Sequence, residues 1–289
     1  MIKIIIDEKY ENSRIDKYIR KNYPKLKLGE IFKFLRNGKI KVNSKKVKQD
    51  YRLSIGDELS LYFNYENDEY NYYKLSEKEK QDIKNRIIYE DKEILIFFKN
   101  PQEVMHKGSG HETGISEKLK SYLKNKDFSF VNRIDKDTSG LIIGGKTLPK
   151  IRELTEIIRE RDISKKYYLL VEGDIEKNRF EIKNKLFNNG DKIVVDDRGK
   201  TAITKYKVIE RYKDFTLLEA EILTGRKHQI RVQMQSIGHP IIGDKKYGGR
   251  KDKYMYLNSY SISFNKIDIK TDIPDYFKKY INNKNIKHL

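Results

Sequence analysis

In the segment VNRIDKDTSGL, residues 131–141, two carboxylates at Asp135 and Asp137 stand where a polar loop runs into an apolar stretch. A loop anchored on a rigid strand can hold a carboxylate firmly and still leave it exposed, as a nucleophile, a base or a stabiliser of developing positive charge requires. On residue types alone, an aspartate bonding its own backbone in a turn is the stronger account of either position. The spacing sets no second acid across a cleft, so a glycosidase or nuclease working through paired carboxylates is the weakest enzymatic reading. The chain has no cysteine, which excludes a thiol nucleophile, a thiolate metal site and a disulfide framework. His106, His111, His228, His239 and His288 lack metal-ligand spacing such as HExxH, and core or loop roles are expected of them.

The stretch RKHQIRVQM, residues 226–234, alternates strictly. It predicts a strand with His228, Ile230, Val232 and Met234 on a packing face and Gln229, Arg231, Gln233 and Gln235 on a polar one. Further strands are expected at EILIFFKN, GLIIGGKT, YYLLVEGD, AITKYKVIE and FTLLEAEIL. KIRELTEIIRER, residues 150–161, predicts a helix with Ile151, Leu154, Ile157 and Ile158 on one face.

Residues 1–63 form a separate basic unit. Ser13 is positioned to cap a helix carrying Ile15 and Ile19, and a second helix carries Leu28, Ile31 and Leu35 up to the break at Asn37-Gly38. KIKVNSKKV then predicts a hairpin turning near Asn43-Ser44, and Ile55-Gly56-Asp57 leads into alternating Leu59, Leu61 and Phe63. Residues 64–82 turn acidic and tyrosine-rich without an apolar period and are expected to be a linker, which leaves 83–289 as the larger domain. With 289 residues, 37% apolar and 36% charged, 21 Tyr and 12 Phe, the chain has material for two folded cores. The 62 Lys and Arg against 43 Asp and Glu leave a net charge of +19, a field that attracts polyanions and makes nucleic acid the first partner to test. No run approaches the roughly 20 apolar residues of a membrane span, the N-terminal apolar run is shorter than a signal peptide's, and the expected place of action is the cytoplasm.

The first 63 residues resemble the alpha-L RNA-binding domain, known from a small-subunit ribosomal protein and some RNA-modifying enzymes, at Arg14-Ile15-Asp16, Gly38, Val42-Asn43, Val47 and Gly56-Asp57. The resemblance implies RNA contacts from Arg14, Lys27, Lys33, Arg36 and Lys39; a merely solvated charged face is the bland alternative. The remainder resembles the RluA-type pseudouridine synthases in four blocks in the same order. VNRIDKDTSGL is similar to their HRLDxxTSGL loop, FFKNPQEVMHKG to a block ending at His106 and Gly108, and ISKKYYLLVEG to one fixing Lys165, Tyr167 and Gly173. LTGRKHQIRVQMQSIGHPIIGDKKYGG is similar to the fourth.

Residue by residue, the resemblance implies that Asp135 is the catalytic carboxylate and that Arg231 pairs with it. Tyr167 would lie against the target base with Ile230 on its other side, and Arg133 would fill the gap left by the extruded nucleotide. Asn132, Thr138, Lys165, Arg226 and Gln229 fall in the same blocks and are expected near the substrate. Asn132 and Gln233 depart from the family by replacing histidines; neither can titrate near neutral pH, and structural roles are expected there.

The implied fold is α+β: a mixed, mainly antiparallel sheet with flanking helices and loops, plus a small N-terminal α/β module. The implied reaction isomerises uridine to pseudouridine in RNA, most naturally in large-subunit ribosomal RNA, with transfer RNA as the other substrate of such enzymes. A uridine in a helix must be flipped out before its glycosidic bond can be reached. Because product and substrate contain the same atoms, no cofactor or metal is expected. A monomer is expected. The competing account is an RNA-binding or assembly factor that has kept the fold and lost catalysis, against which intact Asp135, Tyr167 and Arg231 argue.

Overall fold

The computed structural model describes residues 1–63, 71–106 and 113–286, and separates a unit spanning Met1–Tyr73 from a larger one covering residues 74–146 and 150–289. The first contains strand β1 (Ile2–Ile5), helices α1 (Ile15–Asn22) and α2 (Leu28–Arg36), and strands β2 (Ile40–Val42) and β3 (Glu58–Leu61), with β3 central and antiparallel to both neighbours. Its core is its own: Ile15, Ile19, Ile31 and Leu35 pack on Ile40, Leu53, Leu59 and Leu61.

Ser13 does not cap α1. Arg14 occupies that place without a side-chain capping bond, because the backbone of residues 12–15 pairs with residues 51–53 through Leu53 N to Ser13 O and Ile15 N to Tyr51 O, both 2.9 Å. The chain does turn at Asn43-Ser44, both with positive φ, but the expected second arm is only a bridge to Lys45, and β2 pairs with β3 instead. The first part of the expected linker, 64–70, lies outside the described residues. Its last part is not linker, since Ser76 caps α3 (Glu77–Arg86), its hydroxyl accepting from Glu79 N while Glu79 accepts from Ser76 N. Ile83 is the one buried residue of that helix, which explains why no apolar period announced it.

The larger unit continues with β4 (Ile87–Glu90), β5 (Ile94–Lys99), α4 (Ile115–Tyr122), β6 (Ser129–Phe130), β7 (Ser139–Gly145), α5 (Leu148–Glu160), β8 (Ser164–Glu172), β9 (Arg179–Asn188), β10 (Ile193–Val195), β11 (Lys200–Arg211) and β12 (Phe215–Ile222). After these come α6 (Gln229–Ser236), β13 (Leu257–Phe264), β14 (Ile267–Lys270) and α7 (Asp275–Ile286). The sheet runs β10-β9-β11-β12-β8-β13-β7-β5-β4, with β14 on β13 and β6 on β7, and every pair is antiparallel except β7 with β13. This is the mixed, mainly antiparallel sheet that the sequence implied.

Strands β5 and β7 are continuous apolar runs because both faces of the sheet are covered there. Leu95, Phe97 and Ile142 enter one core, while Ile96, Leu141 and Ile143 enter the other. At the β7–β13 crossing Gly140 has φ of +117°, and a Cβ there would lie 2.3 Å from the Ser259 carbonyl oxygen. Only glycine lets these strands approach, and the approach fixes where the preceding loop, residues 131–138, enters the sheet.

The stretch expected as a strand at 226–234 is instead the helix α6. Gly238, with φ of +83°, ends it and Pro240 follows, so a helix-stop signal was present in SIGHP. The alternation arises because α6 is enclosed on nearly all sides: Ile230 and Met234 enter one core, Val232 another, and Gln229, Arg231 and Gln233 are buried as well. Polar residues on this segment mark buried hydrogen-bonding positions, not a solvated face.

Candidate active site

The loop 131–138 presents Asp135 at the foot of β7. Thr138 N donates to Asp135 O at 3.1 Å to close a turn, and the buried Ile134 side chain pins the loop to the core below. Lys99, at the end of β5 and wholly buried, clamps the far side of that turn: its ammonium donates to the carbonyls of Asn100, Lys136 and Thr138 at 2.7–2.8 Å. Burial pulls its pKa down to about 8, against the smaller opposing pull of Glu103, Asp137 and Asp135. Asn132 turns away from the cavity, its amide oxygen accepting from Ile143 N at 2.7 Å, so this substitute for the family histidine ties the loop to β7.

Asp135 Oδ2 accepts from Arg231 Nη1 at 2.9 Å, and His228 Nε2 lies 3.6 Å from the same oxygen. Its other oxygen accepts no hydrogen bond among the described residues, and its side chain is 29% exposed. Arg231 is oriented from behind by Asp244, which receives its Nε at 2.7 Å and its Nη2 at 2.9 Å. Asp244 also accepts from the backbone of Lys246 and Tyr247, and the Arg231 guanidinium lies 5.0 Å from the Tyr247 ring centroid. Burial pulls the Arg231 pKa down, but the two carboxylates outweigh it and hold the group above its ordinary range.

A cavity of about 90 Å³ opens beside this ion chain, with Asp135, Arg231, Thr138 and Arg226 on its polar side and Tyr167, Ile222, Ile230 and Leu257 on its apolar side. Burial pushes the Tyr167 phenol up to about 12, with Ser259 pulling weakly the other way, so the ring is a neutral surface at physiological pH. Arg133 is exposed at the rim without a hydrogen bond or ion pair among the described residues, free to swing toward a ligand. A wider groove of about 610 Å³ meets the cavity at Arg133, Asp135, His228 and Arg231 and carries Lys136, Lys227, Lys245 and Lys246.

Several expected site residues sit differently from the sequence reading. Gln229 lines the cavity, but its amide is fully engaged: the oxygen accepts from Thr224 Oγ1 and Arg226 N, and the nitrogen donates to Ile203 O and Thr204 Oγ1. It orients the start of α6 and keeps no group for a substrate. Lys165 opens into an adjoining cavity. Gln233 is wholly buried, accepting from Thr204 Oγ1 and Tyr206 OH and donating toward Ile182 O, so it is a structural hub.

His228, expected in a core or loop role, belongs to the site. It holds the left-handed conformation that starts α6, with φ of 54°, and Nδ1 meets Tyr247 OH at 2.8 Å. Burial lowers its pKa, as do Arg231, Lys227 and Lys246, against the pull of Asp135. Asp244 was not singled out either, although a buried arginine needs such a partner and the aspartate of GHPIIGD was the acid at hand. His239 Nδ1 donates to the Glu172 carbonyl oxygen, while Gly108, His111 and His288 lie outside the described residues. Among the described residues no group of three or more histidines and carboxylates could hold a metal ion, and no helix is long and apolar enough to cross a membrane.

Residues 93–236, which contain both the Asp135 loop and α6, match the family described as RNA pseudouridylate synthase. Over 265 residues the chain is 35% identical to the ribosomal large subunit pseudouridine synthase C of Buchnera aphidicola subsp. Baizongia pistaciae, covering 89% of this chain and 84% of that protein. The chain belongs to the RNA pseudouridylate synthase family. Its identity to the ribosomal large subunit pseudouridine synthase C of Escherichia coli (strain K12) is 33% over 267 residues, with 87% and 80% covered. The fold is also that of human RNA pseudouridylate synthase domain containing 4, with TM-score 0.62 at 18% identity over 71% of this chain and 95% of that one. As an RNA pseudouridine synthase the protein is an isomerase: it detaches a uracil from its sugar, turns it and rejoins it through carbon.

Proposed function

We propose that the protein converts specific uridines of large-subunit ribosomal RNA to pseudouridine, with Asp135 as the catalytic carboxylate. The observation that carries the assignment is the chain Asp135–Arg231–Asp244 at the mouth of a cavity walled by Tyr167 and Ile230. The flipped uracil enters between Tyr167 and Ile230, and Arg133 takes its place in the RNA stack. Breaking the glycosidic bond develops positive charge at the anomeric carbon. Asp135, oriented by Arg231, faces that carbon with the oxygen that accepts no hydrogen bond among the described residues. Arg231 donates to the opposite oxygen throughout, so the carboxylate does not rotate away as its charge is drawn toward the sugar.

The ribosomal substrate is supported by the relatives at 33–35% identity that carry that name. The first unit serves as an RNA-holding module of the alpha-L kind; Lys27, Lys33, Arg36 and Lys39 are exposed on it, whereas Arg14 is half-buried and paired with Asp16 at 2.8 Å. The proposed enzyme acts as a monomer in the cytoplasm, where ribosomal RNA is assembled.

The test is ribosomal and transfer RNA from a strain lacking the gene, incubated with purified protein and mapped by carbodiimide-dependent stops. New stops in large-subunit RNA are expected with the wild type and none with Asp135→Asn, which should retain RNA affinity within about threefold. Stops confined to transfer RNA would refute the ribosomal substrate, and undiminished conversion by Asp135→Asn would refute the catalytic assignment.

A further inference from the structure

Next to the catalytic cavity, and sharing Ile222 and Arg226 with it, lies a second cavity of about 240 Å³. Four cations, Arg159, Arg161, Lys165 and Arg226, line it together with Thr224 and Gly225, and no carboxylate is among its lining residues. Lys165 is the unusual member. It is mostly buried, has no hydrogen bond or ion pair among the described residues, and burial alone acts on its ammonium to lower the pKa. A protein interior does not leave a lysine so placed without cost; either the charge is lost or an anion arrives to meet it. Arg226 spends only Nε on the protein, at Thr201 O, so its remaining nitrogens are available. Arg161 closes α5 in the left-handed conformation, with φ of 69°, where glycine would sit without strain, and its exposed side chain makes no hydrogen bond or ion pair among the described residues. Arg159 is paired with Glu156, but both are largely exposed, so that pair is easily exchanged for a ligand.

We propose that this cavity is a phosphate subsite that grips a backbone phosphodiester of the RNA immediately beside the flipped uridine. Position supports the assignment. Lys165 and Tyr167 are alternate residues of β8 and share a face, about 6.6 Å apart along the strand, so an anion on Lys165 lies within one nucleotide of a base on Tyr167. The cavity then does more than attract RNA: it fixes the nucleotide's backbone while the base leaves the stack, aligning the sugar with Asp135. This inference rests on the proposed uridine-flipping role of the neighbouring cavity.

The test uses the full chain and a large-subunit ribosomal RNA stem-loop that the wild type modifies, with each phosphate flanking the target uridine replaced in turn by a neutral methylphosphonate. One flanking replacement is expected to weaken wild-type binding about tenfold, and to weaken Lys165→Met and Arg161→Gly less than twofold, because these variants have already lost the partner. Each variant should also lower the slope of log affinity against log salt by about 0.7–0.9. Both variants should melt at or above the wild-type temperature, since one removes an unpaired buried charge and the other relieves a left-handed arginine; a structural role would lower the melting temperature. Equal losses in variant and wild type at every phosphate would overturn the subsite and leave the catalytic assignment standing. Absence of pseudouridine in any RNA with the wild type would overturn both.

Discussion

At the scale of single residues, Asp135 and Asp244 flank the same guanidinium and yet should answer mutation in opposite ways. Asp244 is buried, with four donors on its two oxygens, two of them from Arg231. Removing it leaves an arginine buried beside one partly exposed carboxylate and frees two backbone N–H groups, which is expected to cost about 3–5 kcal/mol. Asp244→Ala should accordingly lower the urea midpoint sharply, and activity at low temperature should fall because Arg231 no longer holds Asp135. Asp135→Asn leaves the Arg231–Asp244 pair intact, so its stability should stay within about 1 kcal/mol of wild type while turnover disappears. A midpoint for Asp244→Ala equal to that of Asp135→Asn would refute this division of labour. His228 adds a pH expectation. Its lowered pKa keeps the ring neutral below the pH at which a free histidine charges, so single-turnover rates should show no histidine limb between pH 6.5 and 7.5. A titration there, abolished by His228→Gln, would show that the imidazole does ionise beside Asp135.

Among the elements, the turn carrying Asp135 depends on a residue of another strand. Lys99 donates to three carbonyls, two of them within three residues of Asp135, and three donations require the ammonium form. The folded-state pKa of about 8 lies below the unfolded value near 10.5, so between these pH values the unfolded chain binds more protons and stability rises with pH. Catalysis should move the other way. Above about pH 8 the neutral amine keeps two donors for three acceptors, the turn loosens, and kcat should fall with an apparent pKa near 8 while thermal stability holds or improves. Lys99→Met should remove that limb and lower kcat by about 10–100-fold with RNA affinity nearly unchanged. A basic limb that persists in the variant would assign it to another group. These elements also show where a sequence stops being readable. Strands β5, β7, β8 and β12 were legible from apolar runs because each needs only its own residues to look buried. The segment at 226–234 was misread because buried glutamines and an arginine imitate a solvated face, and their partners, Thr204, Asp244 and backbone carbonyls of β9 and β11, are distant in sequence. Asp135, Tyr167, Ile230 and Arg231, which the family pattern singles out, line one cavity, whereas His228 and Asp244 needed the three-dimensional arrangement to be noticed.

For the whole molecule, the net charge of +19 is spread over two units, each with its own core and its own exposed cations. Every buried member of the first core lies between Ile6 and Leu61, so deletion of residues 1–63 removes a complete folding unit and breaks no core cluster of the larger one. The truncated chain should therefore fold, with a thermal transition close to that of the larger unit in the intact protein. Counterion release makes the lost affinity a count of lost phosphate contacts. With Lys27, Lys33, Arg36 and Lys39 gone, log affinity for large-subunit ribosomal RNA should lose about 0.9 of salt slope per contact, up to roughly 3–4 in all, and the apparent affinity should fall by more than about tenfold. Single-turnover conversion of a short stem-loop at saturating concentration should stay within about threefold of wild type, because Asp135, Arg231 and the cavity walls are all retained. An equal loss in binding and in saturated chemistry would mean that the first unit shapes the catalytic cavity and does not merely hold the RNA.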